Sequence, residues 1–304
     1  MTASVSPAGP GPATPAAGAQ DPRALAAPGY DPRRTLPLRV EVTRQLRRRR
    51  TMVAFLILLV LPWILAGAFS LGSPAQPGSG PPGLVDLATD GGLNFAAFSF
   101  FASAGFLLVV AVALFCGDTI ASEAGWASLR YLLAAPVPRA RLLRQKMTVA
   151  LGYAAVAVVS FPAMSLLAGT VAFGWHPLRL PATEIELPYG TALERTGITL
   201  VYILITLLVV AGVAFLLSVS TDSPLGAVGG AVGLVIVSTI LDQVTALGSW
   251  REILPTHWQF AWLDAFSVQL SWGAMVEGAA VSVSYALVLF ALAFRHFRRK
   301  DIVS

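Results

Sequence analysis

Six apolar runs, each near the length that a bilayer requires, divide most of the chain. They cover residues 52–72, 93–116, 147–175, 198–220, 225–248 and 275–294. A helix needs about 20 mostly apolar residues to cross the hydrocarbon core. Inside that core only helices and closed barrels satisfy their own backbone polar groups, and the alternating pattern of barrel strands does not occur here. The pattern therefore predicts an all-α membrane protein with six transmembrane helices.

Two further regions precede the first run. Residues 1–35 are rich in Pro, Ala and Gly without apolar periodicity, which predicts a disordered tail. In residues 36–50, Leu38, Val42 and Leu46 recur every four positions beside a basic run that ends at Arg50. This spacing predicts an amphipathic helix in the cytoplasmic interface, with its arginines on anionic headgroups. A solvated basic segment before the first span is the alternative. The six-span domain then covers residues 51–304.

Composition and charge placement support a membrane protein and set its orientation. Hydrophobic residues make up 56% of the chain and charged residues 12%, which is too little polar surface for a water-soluble globule. The net charge is +5, but 18 of the 21 Lys and Arg residues lie before the first run, between the second and third, or after the sixth. The positive-inside rule places all three regions, and so both termini, in the cytoplasm. This placement argues against nucleic-acid binding.

The search for catalytic chemistry is negative. No GxxxxGK[ST], HExxH or GxSxG motif occurs. His176, His257 and His296 are far apart in sequence, and Cys116 is the single cysteine. The sequence therefore predicts a protein that is not an enzyme and that binds no metal or cofactor itself.

Two ionisable residues lie inside the predicted spans. Asp242 is late in the fifth and Glu277 early in the sixth, so both are predicted near the outer leaflet. They form either an outer gate on a polar exit path or two carboxylates hydrated at the interface. Between them, residues 249–272 carry four of the seven tryptophans and predict one or two short helices dipping into, or lying on, the outer interface.

The start of the fifth run is rich in glycine at a spacing of four. The residues concerned are Gly226, Gly229, Gly230 and Gly233. Such spacing clears a helix face for close approach of another helix. It predicts a seam, either between two protomers or within one.

The segment between the second and third runs, residues 117–146, has a pattern of its own. Leu129, Leu132 and Leu133 recur at helical spacing before Pro136, which stops a helix. A second short helix is predicted around Leu142. An amphipathic helix exposed in the cytoplasm needs an apolar partner surface. A basic loop resting on lipid headgroups is the alternative.

This segment resembles the signature of ABC-2 type permeases. The family shows an acidic residue at the end of the second span, then I-x-x-E, then G-T-L-R/K, L-L and P-V-x-R-x-x-L-L-x-x-K. The matching positions are Asp118, Ile120, Glu123, Ser128, Leu129, Arg130, Leu132, Leu133, Pro136, Val137, Arg139, Leu142, Leu143 and Lys146. Ala127 and Ser128 stand where the family usually has Gly and Thr. The resemblance implies a coupling helix that docks into a separate cytoplasmic ATPase.

The resemblance implies the permease subunit of an ATP-driven exporter in the cell membrane. ATP and Mg would then be bound by the partner ATPase, and a second permease copy or a similar chain would complete the assembly. Two alternatives are an ion-coupled secondary transporter and a non-catalytic membrane scaffold. The first would need ionisable or unwound elements near the bilayer midplane. Transport that depends on ATP and on a separate ATPase would distinguish the exporter from both.

Overall fold

Helices form most of the chain that the structure, a computed structural model, describes. The described residues are 38–72, 83–125 and 139–299, apart from 182 and 184. The helices there are α1 Leu38–Leu46, α2 Arg49–Leu71, α3 Gly92–Ala104, α4 Leu107–Gly125, α5 Arg139–Phe173, α6 Tyr189–Ser220, α7 Pro224–Asp242 and α8 Gly273–Arg299. Two short strands, β1 Leu178–Arg179 and β2 Glu186–Leu187, pair antiparallel between α5 and α6.

Most of these helices are long and apolar enough to cross a membrane. The helices α2, α5, α6, α7 and α8 each qualify alone, and α3 with α4 qualifies as a bent pair. The described chain therefore has five candidate spans, or six with the bent pair counted as one. This agrees with the predicted all-α, multi-pass membrane protein.

The bundle is organised around α4 and α6. Helix α4 packs against α5, α6 and α7, while α6 also packs against α7 and α8. Helices α2 and α3 both pack on α5. Leu108, Phe161 and Phe215 are almost fully buried in the resulting core. By contrast, α2, α7 and α8 turn large apolar side chains outward, as helices that face lipid do.

The apolar run predicted as the second span, residues 93–116, is divided into two helices, which its continuous apolar pattern did not predict. Between α3 and α4 the chain bends by 58°. The Ser103 hydroxyl donates to the carbonyl of Ser99 at 2.6 Å, and Gly105 follows as a weak helix former. Gln259 donates to the Ala104 carbonyl at 3.4 Å, and the Phe260 ring lies beside Gly105. Gln259 and Phe260, from a much later part of the chain, therefore pack against the break.

Two other boundaries also differ from the prediction. The short helix expected around Leu142 is the first part of α5, which begins at Arg139 and continues through the third span. Helix α7 ends at Asp242, before the predicted end at 248. The following residues, Thr245–Ile253, are 3-10 helical on both sides of a kink at Gly248.

The segment between α7 and α8 packs among the helix ends. It contains the 3-10 helices Thr245–Ile253 and Ala261–Phe266. Trp262 is fully buried, and Tyr202 of α6 donates to the Trp258 carbonyl at 2.6 Å. Arg195 of α6 donates to the carbonyl of Ala265 at 3.2 Å. These contacts hold the segment against the bundle, and its place at the outer interface stays a prediction.

Several predictions fall on residues outside the described ranges. These are the tail of residues 1–35, the side chain of Arg139, and the coupling-helix residues Leu129, Arg130, Leu132, Leu133 and Pro136.

Candidate functional site

Seven charged side chains meet at one end of the bundle, where α4 ends and α5 begins. These two helix ends flank residues 126–138 and are the stems of that segment. This charge cluster consists of Glu41, Arg44, Arg48, Arg50, Asp118, Glu123 and Lys146. Its members come from α1, the start of α2, the end of α4 and the start of α5. The cluster therefore joins four elements that are distant in sequence.

Lys146 is the centre of the cluster. Its ammonium lies 2.7 Å from Glu123 Oε1 and 3.1 Å from Glu41 Oε1. All three side chains are at most 2% exposed. Arg44 Nη1 also lies 3.0 Å from Glu123 Oε1. Buried charges are tolerated when they are paired and hydrogen-bonded, as these are.

Asp118 holds the basic run that precedes the first span. Its two carboxylate oxygens lie 2.7 Å from Arg50 Nη1 and 2.9 Å from Arg48 Nη1. Arg48 also donates to the Ser122 hydroxyl at 3.0 Å. Ser122 donates in turn to the Asp118 carbonyl at 2.6 Å. Two arginines of the N-terminal segment are thus fixed to the end of α4.

Helix α1 turns its polar face inward and its apolar face outward. Glu41 and Gln45 are buried, whereas Leu38, Val42 and Leu46 are exposed. Tyr153 of α5 donates to the Val42 carbonyl at 2.8 Å and holds the helix against the bundle. The exposed apolar side chains of α1 therefore lie on the side of the helix that faces away from the bundle.

The pKa of Glu41 reflects this position. Burial by itself raises the pKa of a carboxyl group, because the charged form loses its hydration. The charge and hydrogen bond of Lys146, the hydrogen bond from Gln45 and the charge of Arg44 lower it by more. The pKa of Glu41 therefore lies below its ordinary value of 4.5.

The two stems of the 126–138 segment are bonded to each other and to α6, so the base of the segment is clamped. Glu123, near the end of α4, and Lys146, in α5, form their ion pair across 23 residues. The Ser218 hydroxyl of α6 accepts hydrogen bonds from the backbone N–H groups of Ile120 and Ala121 at 3.0 and 3.1 Å. Both stems of the segment are therefore fixed to the bundle.

Four residues assigned to ATPase docking face the interior instead. Leu142 and Leu143 are 1% and 0% exposed and belong to the main hydrophobic core. Asp118 and Glu123 are buried in the charge cluster. All four side chains are packed within the protomer, and a docking role for them stays a prediction. They position the stems of the segment.

Asp242 and Glu277, the predicted outer gate, make different contacts. Asp242 Oδ1 lies 2.6 Å from His257 Nδ1, and Arg251 donates to the Asp242 carbonyl at 3.0 Å. Glu277 is exposed and lines a shallow cavity with Glu252 and Trp258. The structure brings Asp242 to the 245–266 segment and does not pair it with Glu277.

The four glycines of α7 do not share one environment. Gly230 approaches Leu217 of α6, so that an added Cβ would lie 2.9 Å from its Cδ1. Gly226 and Gly229 are exposed, and a Cβ at Gly229 or Gly233 would meet nothing within 4 Å. Within the protomer, α7 instead packs through Ala227 and Ala231. Only Gly230 serves a seam inside the described protomer.

Sequence reasoning missed most of the charge cluster. Glu41 was the available signal, because it is the one acidic residue in a strongly basic stretch. Among the described residues, no three of His, Cys, Asp and Glu are grouped as metal ligands would be.

Comparison with known protein families places most of the chain in one of them. The chain matches, over residues 84–303, a family described as "Protein of unknown function (DUF2705)". No curated protein matches it. The matched region covers most of the chain and includes both stems of the 126–138 segment.

Proposed function

This chain belongs to the family described as "Protein of unknown function (DUF2705)". From the charge cluster, we propose that it is the transmembrane permease subunit of an ATP-driven exporter. A separate cytoplasmic ATPase binds the 126–138 segment, and two permease chains form the membrane part. Both termini and this segment then face the cytoplasm, in accord with the placement of Lys and Arg.

The observation that carries the proposal is the clamped base of the segment. A segment that receives force from a partner must be rigidly connected to the helices that it moves. Here the pair of Glu123 with Lys146 ties α4 to α5, and Glu41 extends the tie to α1. Movement of the segment is therefore passed to α1, α2, α4 and α5 together.

ATP can drive a conformational change of the permease only by changing the affinity of the ATPase for the 126–138 segment. The ATPase pair must bind one arrangement of the segment more tightly after ATP binding than before it. The permease then shifts toward the arrangement that the ATP-bound partner prefers. Asp118, Glu123 and Lys146 keep the stems fixed during this shift, and the apolar residues of the segment make the contact.

The test is a pair of substitutions in the segment, Leu132→Glu with Leu133→Glu. We expect the variant to insert normally into the membrane. The ATPase should no longer co-purify with it from its native membranes, because two carboxylates cannot enter an apolar cleft of the ATPase. Co-purified ATP hydrolysis and the amount of ATPase subunit are the measurements. The matched control is Val85→Glu with Ile185→Glu, exposed apolar residues at the opposite end of the bundle, which should retain the ATPase.

Equal ATPase recovery in both double variants would overturn the docking assignment. Labelling of a cysteine at Ser128 by an impermeant reagent from the outside would overturn the topology. Substrate movement by the purified chain without ATP would instead support the ion-coupled alternative.

A further inference from the structure

A cleft of about 250 Å³ lies over α6, between α7 and α8. Both helices pack on α6, but they barely touch one another. Aliphatic side chains from four helices form the walls, among them Val109, Ile203, Val213, Leu234 and Leu289. Along α6 the walls extend from Ile203 to Val213, which is about 15 Å of helix. The cleft is therefore elongated and apolar.

Hydrogen-bonding groups gather at one end of the cleft, where α7 ends. Ser238 Oγ lies 2.6 Å from Thr256 Oγ1, and Gln259 lines the same end. None of the described residues that line the cleft is Asp, Glu, Lys, Arg or His. An ionised group would lose its hydration there without gaining a counter-charge. A neutral hydroxyl or ester would find both donors and acceptors.

The mouth of the cleft faces sideways. Leu234 of α7 and Tyr285 of α8 line it and are 54% and 37% exposed. Both helices are candidate spans with apolar outer surfaces. A molecule entering between them comes from the hydrocarbon region of the bilayer. The aliphatic walls give water few of the two to four polar partners that it needs, and an engineered apolar cavity of about 150 Å³ stays dry and binds benzene.

We propose that this cleft is a binding site for one acyl chain of a neutral lipid that enters from the bilayer. The chain lies along α6, and its hydroxyl or ester group meets Ser238, Thr256 and Gln259. The site needs neither the ATPase nor nucleotide, so it stands apart from the proposed exporter function and its test does not depend on that function.

The experiment uses the full chain in phosphatidylcholine nanodiscs and a monoacylglycerol with a diazirine in its acyl chain. Illumination should label residues of the cleft walls, saturably, and mass spectrometry identifies them. Leu234→Trp should lower this labelling about tenfold by filling the mouth. Leu241→Trp, also on α7 and exposed but outside the cleft lining, is the matched control and should label normally. If Leu234→Trp lowers the melting temperature of the protein, Leu234→Phe serves as a milder variant.

A second comparison tests the polar end. Ser238→Val should weaken monoacylglycerol binding by about three- to tenfold, the effect of one hydrogen bond. It should leave labelling by a diazirine alkane of equal length unchanged. Equal cleft labelling in the Leu234 and Leu241 variants would overturn the site, as would labels confined to the outer faces of the bundle. Equal binding of the alkane and the monoacylglycerol to the unaltered chain would overturn the neutral polar head as part of the ligand.

Discussion

At the scale of single residues, Glu41 shows how a charged group is kept in the interior. It is buried on α1 beside Lys146 and Gln45, and these neighbours hold its carboxylate ionised. The folded protein therefore binds the Glu41 proton less tightly than the unfolded chain does. Stability gained in this way is present above the ordinary pKa of 4.5 and is lost as the pH falls through the lowered value.

Measuring the stability of Glu41→Gln over a series of pH values tests whether Glu41 loses its stabilising effect toward acid pH. At pH 7 the variant should unfold more easily than the unaltered chain, because it gives up the attraction of Lys146. As the pH falls below the ordinary pKa of 4.5, the difference in stability should shrink, since the unfolded chain then gains a proton that the folded protein takes up only at lower pH. Thermal unfolding in detergent at several pH values measures the difference. A difference that grows toward acid would show that the carboxylate is not stabilised in the folded protein.

At the scale of elements, the sequence predicts the helices better than their connections. Apolar runs and basic flanks suffice to locate the spans, because both follow from the bilayer itself. The break at Gly105 depends on Gln259 and Phe260, which approach it only in the folded bundle. The charge cluster likewise depends on pairs 23 to 105 residues apart. The resemblance to the permease signature singled out Asp118 and Glu123 but did not identify the partners that the structure gives them.

Lys146 is the group through which α1, α4 and α5 are held together, so its removal tests the connection. Lys146→Met should destabilise the protein by about 3–5 kcal/mol, because it leaves buried carboxylates without their ammonium. Adding Glu41→Gln and Glu123→Gln should recover much of the loss, because neutral groups of similar size need no counter-charge. Chemical unfolding of the single and triple variants in detergent measures both effects. If the single variant were as stable as the unaltered chain, the cluster would not hold these elements together.

At the scale of the whole molecule, α7 is the least covered of the candidate spans. Only 11% of its apolar window is buried, against 50% for α6. Its outward face combines Gly226, Gly229 and Gly233 with Ile236 and Ile240. Small residues there would allow another helix to approach closely. The prediction of a second permease copy stays a prediction, and this face is where we expect the copies to meet.

Leucine at both Gly229 and Gly233 should keep two such faces apart. We expect the dimer of the unaltered chain in mild detergent to weaken by about tenfold or more, since each added side chain prevents close backbone approach. Gly152→Leu is the control, because that glycine is also exposed on a candidate span and open around its Cα. Light scattering after size-exclusion chromatography gives the masses. A dimer that persists in the double variant would place the contact elsewhere.

The pair of Glu41 with Lys146 also has a consequence for biosynthesis. A ribosome completes Glu41 105 residues before it reaches Lys146. Until then the carboxylate has no ammonium to meet, so the N-terminal helix cannot take its final place during insertion of the first two spans. Its docking must follow synthesis of the start of α5. Nascent chains truncated before and after residue 146 should therefore differ in how readily a protease cuts near residue 40.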